Sequence, residues 1–260
     1  EDTEQVNQDP WAYLAGEEVM SERDFEILRG LYKAELAYLD DQLSHLFNDL
    51  KRHGILDDSA VIVVGDHGEH IGDHYMMDHQ YALCDTLLHV PLFIRFPDGF
   101  EQAIETEFNG FVELRDIFPT ILELAGVEVP TNPAVSSESL QSQAQSGGRE
   151  FVIAEYLTPQ PAIETLRNRY DDISTDISQY DRRLRSIRTQ SRRYTVSDDG
   201  WDKLDKYDGE TSDSVPRTAD GLRDLLEDTV GTFPAVSHAT NDEAALSDAN
   251  QEHLEDLGYL

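Results

Sequence analysis

Five of the nine histidines fall between His67 and His89. They begin in Gly65-Asp66-His67-Gly68-Glu69-His70-Ile71-Gly72-Asp73-His74, the stretch of the chain richest in groups that do chemistry. An Asp carboxylate offers a hard anionic oxygen and a neutral His imidazole a nitrogen lone pair, so Asp66 and His67 together suit a divalent cation. Gly65 and Gly68 permit tight turns and let a ligand come close to the backbone. The same residues read equally well as a helix cap followed by a polar turn. Two adjacent ligands seldom hold a metal by themselves, so an ion here needs further ligands from elsewhere in the fold.

The segments around this stretch say how it would be positioned. Residues 21–53 predict a long amphipathic helix: Ser21 and Asp24 form a capping pair, Phe25, Leu28, Tyr32, Leu36, Leu39, Leu43, Leu46 and Leu50 recur at helical spacing, and Gly54 ends it. Residues 60–64, Ala-Val-Ile-Val-Val, are apolar on both faces and suit a central strand of a parallel sheet. The Asp-His stretch begins where this strand stops, and open α/β sheets bind ligands beyond the carboxyl ends of their strands. Residues 90–96 and 151–156 predict further strands. Residues 112–125 predict a helix with Pro119 in its first turn or at a kink, Gly126 as its cap and Pro130 beyond. Residues 136–148, rich in Ser and Gln, read as a surface loop.

Residues 157–180 show no clear periodicity. Residues 186–189 and 194–196 predict an antiparallel hairpin, with 201–207 as a third strand. Residues 208–250 read as a loose acidic tail and 253–259 as a short closing helix. The expected fold class is α/β, a mostly parallel sheet flanked by helices with a small antiparallel C-terminal subdomain. The expected division is residues 1–150 for the α/β domain and 151–260 for the C-terminal subdomain.

Composition narrows the setting. With 53 acidic against 20 basic residues the formal net charge is −33, and only Lys33, Lys51, Lys203 and Lys206 are lysines. The apolar segments between residues 25 and 156 argue against global disorder and for a folded protein adapted to high salt, where a Debye length of roughly 3 Å screens repulsion between surface carboxylates. A polyanion would be repelled, which excludes nucleic acid as a partner. No run of eighteen apolar residues occurs, so no membrane span is expected, and a cytoplasmic location is the expectation. The acidic start without Met reads as a chain cut from something longer. Cys84 has no second cysteine to pair with.

Several separated motifs, in order, carry a family resemblance. Val63-Val64-Gly65-Asp66-His67-Gly68-Glu69, Ile71-Gly72-Asp73-His74, His79, His89-Val90-Pro91-Leu92, Asp116-Ile117-Phe118-Pro119-Thr120-Ile121-Leu122 with Ala125-Gly126-Val127, Arg185-Ser186-Ile187-Arg188-Thr189 and Leu257-Gly258-Tyr259 together resemble the sulfatase family of the alkaline phosphatase superfamily. The resemblance implies that Asp66 and His67 ligate one divalent metal, calcium first, with manganese or zinc as alternatives. It implies that His79, thirteen positions after Asp66, contacts the sulfate ester near its leaving oxygen; the plainer reading of His79 is a polar loop residue. His74 is a second candidate for lining the site, His89 reads as structural, and Arg188 belongs to the C-terminal sheet.

The implied activity is hydrolysis of a small-molecule sulfate monoester. The first alternative is a phosphomonoester or phosphodiester hydrolase, or a phosphotransferase, on the same scaffold; the second is a non-catalytic module. The family's Cys-x-Pro-x-Arg or Ser-x-Pro-x-Arg motif, source of its formylglycine nucleophile, is missing. Cys84 lacks the Pro and Arg, and Ser214-Val215-Pro216-Arg217 is one residue short. The nucleophile and two further carboxylate ligands are therefore expected N-terminal to Glu1, and this chain alone is expected to be inactive.

Overall fold

Ser21 opens the longest element by a reciprocal cap: its hydroxyl accepts from the Asp24 amide while the Asp24 carboxylate accepts from the Ser21 amide. In the computed structural model, which describes residues 6–100, 108, 110–128, 137–157, 159–170, 173, 176, 179–209 and 214–233, this helix, α2, runs Glu22–Arg52. It follows a one-and-a-half-turn helix α1, Pro10–Ala15, which Asp9 caps. The α2 terminus is a Schellman turn, with Gly54 at φ 68° and the Ile55 amide donating to the Leu50 carbonyl at 3.1 Å. Only Phe25 and Leu28 of its apolar stripe are buried; Tyr32, Leu36, Leu39 and Leu46 stay exposed.

Strand β1, Val61–Val64, pairs with β4, Leu92–Arg95, and the register Val61↔Arg95 to Val64↔Leu92 is antiparallel. This corrects the parallel pairing expected of residues 60–64. The physical reason is the return path: the Gly65 amide donates to the Pro91 carbonyl at 3.1 Å, so the chain re-enters beside the end that β1 has just left. Between them lie a minimal hairpin, β2 (His70–Ile71) with β3 (Met77–Asp78), and a one-turn helix α3 (Asp85–Leu88).

Two apolar clusters hold that hairpin. Phe25 and Leu28 of α2 pack on Met77 with Ile71 beside it. On the other side Met76 and Tyr81 join Leu14 and Ala15 of α1 and Ala162, Ile163 and Leu166 of α6, Gln160–Arg169. Gly72, at φ 87°, sits with Phe25 so near that an added Cβ would lie 2.7 Å from the ring. Arg29 of α2 also donates to the Ile71 carbonyl at 2.9 Å.

Helix α4, Ile117–Leu124, carries Pro119 in its first turn, where the missing amide costs nothing. The 3-10 turn Leu114–Asp116 precedes it. Asp116 is fully buried and fully paired: Arg149 contacts it through both terminal nitrogens at 2.5 and 2.7 Å, and the Glu113 and Glu138 amides donate to it at 2.8 and 3.2 Å. The Ser- and Gln-rich segment expected to be a surface loop is helix α5, Leu140–Ser146. Leu140 and Gln143 are buried there, because Thr120 and Asp116 offer acceptors for the amides that open it.

The C-terminal sheet matches its expectation. Strands β5 (Phe151–Tyr156), β6 (Leu184–Thr189), β7 (Arg192–Ser197) and β8 (Asp202–Lys206) pair in that order, all antiparallel. Two expectations for its surroundings fail. Residues 157–180 contain α6, and the stretch read as a loose tail contains α7, Ala219–Val230, which buries Leu222 and Leu226. In both, a few well-spaced apolar residues suffice because a neighbouring element supplies the rest of the core. Residues 1–229 form one compact unit and 230–260 a second, described only as far as residue 233. Pro130 and the expected closing helix at 253–259 lie outside the described residues. No helix among the described residues is long and apolar enough to cross a membrane.

Candidate active site

The turn that leaves β1 presents Asp66 to solvent, its side chain 79% exposed, with His67 beside it at 33%. The Asp66 carboxylate accepts from the His67 amide at 2.9 Å, and that hydrogen bond chiefly holds its pKa below the usual carboxylate range. The His67 Nδ1 lies 2.8 Å from the Gly68 carbonyl. A proton there leaves the lone pair on Nε2, which stands 3.9 Å from the second Asp66 oxygen. Two ligand atoms at that separation can share one divalent ion at ligand distances of roughly 2.0–2.6 Å. The donor set therefore fits a divalent cation as two of its ligands.

Gly68 is required by packing. An added Cβ would fall 1.9 Å from the Thr86 carbonyl oxygen, and the Gly68 amide donates to the Leu87 carbonyl at 2.8 Å. The Asp66–His67 loop thus lies directly on α3.

His79 joins this pair. Its ring stacks on that of His67 with centroids 4.2 Å apart and planes inclined by 27°. The hairpin register sets its other neighbours: His70 faces Asp78, so the next positions outward, Glu69 and His79, are neighbours across the strands. The His79 Nδ1 lies 2.9 Å from Asp78 and 3.5 Å from Glu69. Hydrogen bonds to Asp78 and then Glu69 raise its pKa from 6.5 to about 10 against the opposing effect of burial, so the ring is a cation at neutral pH.

Asp78 takes part at a conformational cost. It holds a left-handed φ of 77°, and His74, Tyr75 and Tyr81 share that region at 56°, 59° and 65°. Non-glycine residues there cost about 1 kcal/mol or more each and gather at functional sites.

Of the expected residues, then, Asp66, His67 and His79 come together. The ring contact of His74 is with the buried His70, edge-on at 6.0 Å, within the 3-10 turn Asp73–Tyr75. His89 is exposed and ends α3. Arg188 lies in β6, over the Tyr207 ring at 3.7 Å. Glu69 and Asp78 were given no role from sequence; the signal that would have revealed them is the Gly72-Asp73 turn, which fixes the hairpin register. Glu69, Asp78 and His79 could also be taken as a three-ligand metal cluster. A protonated His79 satisfies both carboxylates and offers no lone pair to an ion.

The sulfatase family model matches residues 6–127. That segment, a little under half of the chain, is similar to the sulfatase family. The chain is 31% identical over 112 residues to arylsulfatase K of Bos taurus, covering 43% of this chain and 20% of that protein. It is 32% identical over 111 residues to the multifunctional alkaline phosphatase superfamily protein PehA of Trinickia caryophylli, covering 43% and 21%. The matched segment therefore spans about a fifth of the length of these curated relatives. The fold is shared more widely: 84% of this chain superposes on 45% of the phosphonate monoester hydrolase of Silicibacter pomeroyi with a TM-score of 0.59 at 21% identity.

Proposed function

We propose that this chain supplies the metal pair and the leaving-group donor of a hydrolase acting on a small-molecule sulfate monoester. The observation that carries the reading is the convergence of Asp66, His67 and a cationic His79 on the loop that leaves β1. Asp66 and His67 would hold one divalent metal, calcium first and manganese or zinc otherwise, which when bound polarises the ester oxygens. Asp78 and Glu69 anchor the His79 Nδ1–H, which fixes the ring and keeps it charged. The Nε2–H is then the proton offered to the bridging oxygen as the S–O bond breaks and charge gathers on the departing alkoxide. The formylglycine nucleophile and the remaining metal ligands are assigned to sequence outside residues 1–260. The −33 charge makes a nucleic acid partner unfavourable and supports work at high salt.

The test compares alkyl and aryl sulfates in the protein that joins this chain to its nucleophile segment. His79→Ala should lower turnover on the order of 10²-fold on an alkyl sulfate and less on an aryl sulfate, whose leaving group needs less help. Metal content should be unchanged. Full alkyl-sulfate turnover, or loss of the metal, would sink the assignment of His79.

A second reading, phosphonate or phosphate ester hydrolysis, is favoured by the fold shared with a phosphonate monoester hydrolase. The nucleophile separates the two. A Cys or Ser in the five-residue motif supports the sulfatase, and a lone Thr or Ser supports phosphate transfer.

A further inference from the structure

Segment 83–88 is gripped from two sides. Towards the site, the Leu87 carbonyl accepts from the Gly68 amide at 2.8 Å, and the Cys84 Sγ lies 3.6 Å from Nε2 of the buried His70. From the C-terminal sheet, the buried Arg193 of β7 reaches back across 110 residues to donate to the Leu83 carbonyl at 3.0 Å. Its other terminal nitrogen contacts the Asp85 carboxylate, and Arg188 of β6 approaches the same carboxylate at 3.5 Å. Asp85 is the first residue of α3, so whatever fixes its carboxylate fixes the helix on which Gly68 rests.

We infer that Arg193 and Asp85 are positioning residues for the Asp66–His67 loop, through which the C-terminal sheet sets the geometry of the metal pair. The inference rests on the reading of Asp66 and His67 as metal ligands. Its physical basis is a short path of stiff contacts: guanidinium to carboxylate, carboxylate to helix, helix carbonyl to the Gly68 amide. Gly68 has no room to move towards α3, because its Cα already stands where a Cβ would meet the Thr86 oxygen. Backbone this close has few alternative arrangements, so a shift of α3 is passed on rather than absorbed. Cys84 and His70 supply a second, softer contact along the same seam.

Amide hydrogen exchange in this chain at molar KCl tests the inference without reference to catalysis. Asp85→Asn keeps the shape of a partly exposed side chain while weakening both guanidinium contacts. Arg193→Gln removes the reach from the sheet, and Arg193→Lys retains the charge but not the paired donors. The expected result is exchange of the Gly68 amide about tenfold faster in Asp85→Asn and Arg193→Gln, less in Arg193→Lys, with interior β5–β6 amides unchanged. Unchanged exchange at Gly68 overturns the inference. So does equal acceleration at Gly68 and in β5–β6, which marks a merely structural pair. Titration with Mn²⁺ in the protein that joins this chain to its nucleophile segment, read as paramagnetic broadening at His67, should show a midpoint several-fold higher in the variants. If Mn²⁺ leaves His67 of that wild-type protein untouched, the metal reading fails, and the exchange result still decides whether Asp85 and Arg193 position the loop.

Discussion

A proton on His79 is the smallest unit on which the proposed chemistry turns. Its folded pKa, about 10, lies above the 6.5 of the free side chain because Asp78 and Glu69 favour the charged ring. A group raised in this way contributes stability that is complete below pH 6.5 and is lost as pH climbs through about 10. The imidazole Cε1 proton should therefore titrate near pH 10 by NMR, and a midpoint within one unit of 6.5 would contradict the pairing. Over the same window His79→Gln should flatten the pH dependence of the thermal midpoint. Gly68 gives a steric counterpart. Gly68→Ala forces a Cβ against the backbone oxygen of Thr86, and the expected loss is about 2 kcal/mol or more in a denaturant titration. At this scale residue type and motif order single out Asp66, His67 and His79, and the fold brings the three together. Glu69 and Asp78 stayed hidden because their role depends on a cross-strand register that two-residue strands scarcely announce.

Elements with a long local signal were legible, and elements completed by a distant neighbour were not. Helix α2 has a cap, a stripe and a terminating glycine, and its bounds follow from them. Strands β5 to β8 alternate well enough that their pairing could be anticipated. Helices α5, α6 and α7 were missed, for they bury only a few side chains each: Leu140 in α5, Ile163 and Leu166 in α6, Leu222 and Leu226 in α7. Their polar faces dominate any window read along the chain. The prediction that follows is lopsided for helices of similar appearance. Leu222→Ala, at a fully buried position, should cost about 2–5 kcal/mol. Gly30→Ala in α2, where an added Cβ meets nothing within 4 Å, should stabilise by about 1 kcal/mol. Urea midpoints of the two variants would check both signs, and a neutral Leu222→Ala would show that α7 contributes little to the core.

Charge and connectivity act on the whole molecule. With a net charge of −33 and arginines such as Arg183 and Arg185 paired to Asp198 and Glu155, the chain is proposed to rely on screening of the carboxylates left over. Far-UV circular dichroism should lose its ordered signal as KCl falls from molar to millimolar, and a full signal at low salt without divalent ions would refute adaptation to brine. The cluster behind His79 has a different implication, for the order in which events occur during synthesis. It joins Leu14 and Ala15 to Ile163 and Leu166, and the Tyr170 hydroxyl donates to Asp9 at 3.0 Å across 161 residues. A ribosome extends a chain at roughly 5–20 residues per second, so α1 must wait on the order of ten seconds before its packing partner has been made. Through that interval the faces of α1 and of the β2–β3 hairpin that meet α6 go uncovered by it, although α2 already packs on the hairpin's other side. The nascent chain is then most exposed to aggregation after the Asp66–His67 loop has emerged and before α6 has, a window in which chaperone capture would matter most.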